Sequence, residues 1–420
     1  MPTAHDRVPV ESPSPRAGEP ASGQPPVGPS AGSTLSRRRV VRVLGTVGAA
    51  VLVGVGGYRV FDTAAVNPGH GQAYEPWRHW RDDAGPMGAV AAALLAANPH
   101  NTQPWLFRVN ATAIDVDVDP GRHIGSVDPY RREQHVGLGC ALENLALACR
   151  ARGLRPDIAV LPDGPDARRV AHVDLTPAPA QQDDRYEAIG HRHTNRGPYR
   201  ALAIPAEALA ELVDTAGLPG ISVQWIVDPA SMAVLSALLV DAAEAVVADE
   251  SQSRDGFAWF RGTDDAIQSH RDGLTLDAQG LTPLTLGLAK LLPASTRSSG
   301  DAFWVEQTRT VHTATAAAYG VLTAASPDDR VTQLDTGRLL QRIHLTATAR
   351  GIALQHMNQI TERIDAERLA GQRATFSPRF AGVLPPGAKP LVAFRVGYPL
   401  RDARPSPRRS AATVTQRTPR

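Results

Sequence analysis

Two short stretches carry residue types suited to holding a small molecule: Asn98-Pro-His-Asn-Thr-Gln-Pro-Trp105 and Arg192-His-Thr-Asn-Arg196. The first is a polar loop stiffened by Pro99 and Pro104, and the amides of Asn101 and Gln103 offer paired donors and acceptors to the edge of a flat heterocycle. The second packs two guanidinium groups, Arg192 and Arg196, around the hydroxyl of Thr194, a set that suits a phosphate monoester. Each has a plainer reading: Asn101 as a turn cap, the arginine cluster as a solvated basic loop. The His191-x-His193 pair lacks a third ligand at metal spacing, and its arginine neighbours repel a cation, so no metal is expected.

Together the two stretches describe a heteroaromatic ring joined to a phosphate. An N-x-Q-P-W loop and an R-x-[ST]-x-R cluster resemble the nitroreductase superfamily of FMN-dependent oxidoreductases. The likeness runs from about Met87 to Pro399. The order of the motifs is reversed relative to the usual members, and that reversal, the T-N-R wording and the double length resemble the Acg branch. The resemblance implies FMN, with Asn101 and Gln103 on the ring and Arg192, Thr194 and Arg196 on the phosphate. It also implies a second-lobe ring contact from Asn358 or Gln359. Arg395, in Arg395-Val-Gly-Tyr-Pro399, either completes the phosphate or ribityl site or pairs with a carboxylate. No catalytic side chain is expected, because flavin N5 carries the hydride. NAD(P)H would be the electron donor and a nitroaromatic, quinone or similar small molecule the acceptor. The alternative is a flavin-binding or flavin-sequestering protein in which a lid blocks turnover.

The elements that must position these groups show an internal repeat. Gly139–Leu154 and Gly337–Ile352 align without a gap at an offset of 198 residues and share six identities in sixteen positions. In the first copy Leu138, Ala141, Leu142 and Leu145 keep the spacing of a buried helical face. Gly153 and Gly351 stand where left-handed helix caps belong. The expected fold is α+β and nitroreductase-like, two similar lobes in one chain with helices packed on antiparallel-rich sheets. Ordinary nitroreductases are homodimers with flavin at the interface, so such a chain would be an internal pseudo-dimer and a monomer. The lobes are placed at 75–185 and 186–400, with a lid insertion at 251–299. The offset carries Asn101 and Gln103 onto Ser299 and Asp301, so one flavin per chain is expected. Helices are expected at 86–97, 134–152, 206–216, 229–248, 308–323 and 336–350, and strands at 105–109, 114–119, 169–175, 222–227 and 390–396.

The 420 residues hold 44 basic and 42 acidic side chains, a net charge of +2 that does not suggest nucleic acid as a partner. Cys140 and Cys149 lie about 13 Å apart on opposite sides of one helix, too far for a disulfide. Residues 1–66 read as a disordered tail followed by Ser36-Arg-Arg-Arg-Val-Val-Arg42 and sixteen uncharged residues to Tyr58. This resembles a twin-arginine export signal, with an uncleaved membrane anchor as its rival. The chain is expected to be exported or membrane-associated, and cytoplasmic if the signal is unused. The six-arginine tail, 401–420, reads as a disordered basic extension.

Overall fold

Two 20-residue helices, Arg132–Ala151 and Arg330–Ala349, form the centre of the computed structural model, which describes residues 68–417. They start and stop 198 residues apart and are followed by Gly153 (φ 72°) and Gly351 (φ 70°), the left-handed caps read from the sequence. The helices pack on each other through their glycines. A methyl group on Gly139 would strike the carbonyl of Leu334, and one on Gly337 would strike the carbonyl of Val136. Val136 and Leu334 are themselves 198 residues apart, so these are one contact made twice. Further along, Arg342 Nε donates to Glu143 (2.9 Å) and Gln341 donates to Asn144 (2.8 Å), again equivalent pairs with their roles exchanged. Such reciprocity is the mark of an isologous two-fold interface, here inside one chain.

Each long helix belongs to a lobe whose sheet contains four antiparallel strands of the same topology. In the first lobe the strands are β1 (Trp105–Val109), β2 (Ala113–Val118), β3 (Leu154–Val160) and β4 (Arg169–Pro177), ordered β1-β2-β4-β3. The second lobe begins with β5 (Ile221–Ile226). A short parallel pair, β6 (Phe260–Arg261) and β7 (Leu274–Thr275), lies in the insertion. Then come β8 (Ala318–Ala324), β9 (Ala353–His356) and β10 (Pro390–Gly397), ordered β5-β8-β10-β9. In both lobes the long helix follows the second strand in sequence. The two-lobe α+β architecture is therefore present in strand topology and in the packing of the long helices.

Several elements depart from the sequence expectation. Residues 308–323 do not form one helix: Thr308–His312 is a π turn, and Ala318–Ala324 is the buried strand β8 between β5 and β10. An apolar run buried on both faces has no periodicity to separate strand from helix, and Gly320 lets Phe394 and Trp225 close over this one. Ser299 and Asp301 lie in the helix Arg297–Gln307 rather than in a second ring-binding loop, so the repeat stops short of them. The expected helix at 206–216 ends at Glu211.

The tail is not a disordered extension over its described part, to residue 417. Residues 415–417 form β11, parallel to β1, and Arg408 and Arg409 are buried. Their guanidinium groups donate to backbone carbonyls of Ala96 and Trp105, partners that no charge count reveals. The export-type segment lies outside the described residues.

The crossing of the long helices can be tested by single substitutions. Gly139→Ala or Gly337→Ala should lower unfolding free energy by roughly 1–3 kcal/mol or more, because backbone opposes the new methyl group. Gly287→Ala, in the helix Pro283–Leu291 with open space around it, should instead stabilise by up to about 1 kcal/mol. Urea midpoints read both effects.

Candidate functional site

Between the lobes lies a cavity of about 520 Å³. The first long helix supplies one wall through Glu133, Val136, Gly137 and Cys140, spaced to share a helix face. The segment after the second long helix, His356 to Gln359, supplies another, and Thr194 and Arg196 a third. The insertion closes the rest with Gln252, Phe257, Phe260, Leu274 and Leu276. The expected lid is thus a wall of the cavity. Trp259 is not on that wall; its ring packs against Arg122 and Arg261 while Nε1 donates to the His123 carbonyl.

Of the seven residues singled out from sequence, Thr194, Arg196 and Asn358 face the cavity. Asn101 and Gln103 do not. Asn101 Nδ2 donates to the carbonyls of Gly273 (3.1 Å) and Pro407 (2.8 Å), and its Oδ1 accepts from Arg408. Gln103 binds the carbonyl of Arg271 and the backbone N–H of Arg409, both at 2.8 Å. The amide loop therefore clamps the insertion and the C-terminal strap. Its backbone explains the turn: His100, Asn101 and Gln103 have φ of 45°, 56° and 53°, costing about 1 kcal/mol or more each. The twist presents Asn98, Pro99 and His100 to the cavity instead.

Arg192 and Arg395 are also set behind the wall. Arg192 donates to the Leu95 carbonyl (3.0 Å) and to His344 Nδ1 (3.3 Å). Arg395, wholly buried on β10, binds Gln355, the carbonyls of His312 and Gly197, and the Thr315 hydroxyl. It lies 4.0 Å from the centre of the Tyr199 ring. The alternative of an Arg395–carboxylate pair is not what forms: carbonyls and a ring face satisfy the guanidinium.

Arg192, Arg395 and Arg408 are all buried, Arg196 keeps partial access through the cavity, and none of the four has a carboxylate partner among the described residues. Burial pushes Arg192 and Arg196 down to about 10, still cationic at neutral pH. His100 is pushed down to about 4 by burial and then by Arg196, and His356 to about 3 by burial and the same arginines. Both are neutral at pH 7. Cys140 on the wall is pushed up to about 12 by burial, which removes it as a nucleophile.

The cavity also has an opposite pole that neither sequence motif announces. Glu133 and Glu362 are buried on the cavity wall. Burial, then Asp128, raises Glu133 to about 7, and burial, then Glu133, raises Glu362 well above the usual carboxylate range. A signal was available for Glu133, since it stands three, four and seven residues before Val136, Gly137 and Cys140. Nothing local marks Glu362.

No family model matches the chain. Over 351 residues it is 25% identical to "Putative NAD(P)H nitroreductase Rv3131" of Mycobacterium tuberculosis, covering 80% of this chain and 93% of that protein. Over 114 residues it is 29% identical to "Putative NAD(P)H nitroreductase acg" of the same organism, covering 26% of this chain and 34% of that one. Among solved structures, an FMN-bound nitroreductase of Desulfitobacterium hafniense is 15% identical with a TM-score of 0.34, covering 56% of this chain and 99% of that one. The chain is thus similar in sequence, over four fifths of its length, to proteins named as NAD(P)H nitroreductases. The acg protein is among the relatives it resembles in sequence.

The carboxyl pole makes stability depend on pH in a definite direction. Glu133 ionises near its ordinary 4.5 when unfolded and near 7 when folded, so folding favours its neutral form. That contribution is complete below pH 4.5 and is lost as pH rises through 7. Denaturant melts of the wild type should show this loss, and the Glu133→Gln, Glu362→Gln double variant should lack it.

Proposed function

We propose that the chain is an FMN-dependent NAD(P)H oxidoreductase whose flavin lies in the cavity between the lobes. The observation that carries the reading is the set of guanidinium groups without carboxylates, one of which, Arg196, opens on the cavity beside Thr194. Uncompensated buried cations call for an anionic ligand, and a phosphate monoester supplies the charge and the acceptor oxygens. Phe257, Phe260 and Met357 offer apolar surface for a ring, and Asn358 and the unpartnered Nε2 of His356 offer polar contacts to its edge. The cavity volume falls in the range usual for cofactor sites, about 300–1,000 Å³. When bound, the flavin supplies hydride acceptance and return at N5. Arg196 and Thr194 anchor, the insertion excludes water, and Asn101, Gln103, Arg192 and Arg395 brace the walls. The nitroreductase names of the relatives support NAD(P)H as donor and a nitro compound as acceptor, and we infer a quinone or similar small molecule as a further acceptor. Because one chain holds both halves of the pseudo-dimer, the protein works as a monomer, and the segment before residue 67 directs export or membrane attachment.

A second reading is favoured by the insertion, which supplies much of the cavity wall: a flavin-sequestering protein that nicotinamide cannot enter. Colour and anaerobic reduction separate the two. Purified protein should be yellow, and Arg196→Ala should lower FMN affinity roughly tenfold or more while the fold survives. Retention of FMN at unchanged affinity would place the phosphate elsewhere. Rapid bleaching of the flavin by NADPH or NADH establishes the enzyme. Slow bleaching that Phe257→Ala, Phe260→Ala accelerates without releasing FMN establishes the closed form.

A further inference from the structure

Glu133 and Glu362 reach the cavity from the first turns of two different helices, Arg132–Ala151 and Gln359–Leu369. They are 6% and 7% exposed, and Glu133 Oε1 has no hydrogen-bond partner. The charges around them are accounted for. Arg132 pairs with Asp365 at 2.8 Å, Asp128 accepts from the Gln134 backbone N–H at 3.0 Å, and Arg363 pairs with Asp249 at 3.1 Å. Arg368 is held by Asp328, and the insertion contributes neutral Gln252 and Ser253, the Ser253 hydroxyl donating to Asp301, a further carboxylate on the cavity wall. Asp128, Glu133 and Glu362 thus share the single guanidinium of Arg132, already committed to Asp365, and Arg368 acts on Asp365 and Asp328. Two neighbouring carboxyl groups in such a place cannot both ionise, so they retain a proton at neutral pH.

We propose that the Glu133–Glu362 pair is the proton donor of the cavity, serving acceptors whose reduction places a proton on oxygen. The proposal rests on the oxidoreductase reading and adds to it the group that completes the reaction. With a quinone, hydride equivalents from the reduced nicotinamide deliver two electrons and one hydrogen. The carboxyl O–H bond breaks, and an O–H bond forms on the quinone oxygen. The products are hydroquinone, oxidised nicotinamide and a pair one proton poorer, which solvent refills before the next cycle. A reducible oxygen is the chemistry this pole recognises: it accepts a hydrogen bond from a neutral acid and needs no cation.

The test compares a soluble benzoquinone with ferricyanide, which takes single electrons and no proton, using the flavin-loaded protein. The ratio of quinone to ferricyanide turnover should fall by about 100-fold in Glu133→Gln, the scale of a lost general acid, and Glu133→Asp should restore part of it. In the wild type the same ratio should fall as pH rises through neutrality. Infrared spectra of the protein without substrate supply a readout independent of turnover. A protonated-carboxyl band should be present at pH 7, shift in D2O and diminish in Glu133→Gln. A missing band overturns the proposal, as does a ratio that is flat with pH and unchanged by substitution; either leaves the oxidoreductase reading standing. Failure of both acceptors to be reduced by NAD(P)H overturns that reading and the donor role with it, while the band still reports where the proton resides.

Discussion

The contact between Gly139 and Gly337 brings two helix backbones to a separation that no side chain would allow. Everything else in the molecule is arranged around that crossing. Because each helix follows the second strand of its own sheet, fixing their approach fixes both sheets. The N-terminal half of the first long helix is then turned toward the segment 355–362 of the other lobe, and the space left between them is the cavity. Glu143–Arg342 and Asn144–Gln341 lock the rotation about the crossing, since both pairs are buried and directional.

The interior is unusual in where it keeps charge. Guanidinium groups lie on and behind one side of the cavity and protonatable carboxyl groups on another, and the histidines on its wall are held neutral. Each pole alone is unfavourable in a folded chain. Burying a cation among carbonyls lowers its pKa, and crowding carboxyl groups raises theirs. Such arrangements persist where a bound molecule compensates them. The separation of the poles gives the cavity a direction, cationic near Arg196 and protonatable near Glu133 and Glu362.

How much of this was legible in the chain depended on the kind of signal. The long helices and their caps were readable because Gly139, Gly153, Gly337 and Gly351 recur at one offset beside a 3.6-residue rhythm. Alternating strands such as β1 were readable for the same reason. Strand β8 was not, because burial on both faces leaves no alternation. Thr194, Arg196 and Asn358 lie on the cavity, whereas Asn101, Gln103, Arg192 and Arg395 lie behind its wall, hydrogen-bonded within the fold. Their residue types announce hydrogen bonding without saying to whom. The partners of Asn101 and Gln103 are Arg408 and Arg409, over 300 residues away in a tail whose composition looked like solvated coil. Distance in sequence hid both ends of that clamp.

The duplication has a consequence for how the two halves can change. In a symmetric dimer every substitution appears twice, so neither copy of a site can be altered alone. Here the counterparts of Glu133, Val136 and Cys140 are Val331, Leu334 and Arg338, and Arg338 spends its charge on Glu143 at 3.2 Å. One half of an ancestral symmetry has become filler and brace, free to drift toward stability, while the other keeps its hollow. Joining the halves in one polypeptide is what permits that division of labour.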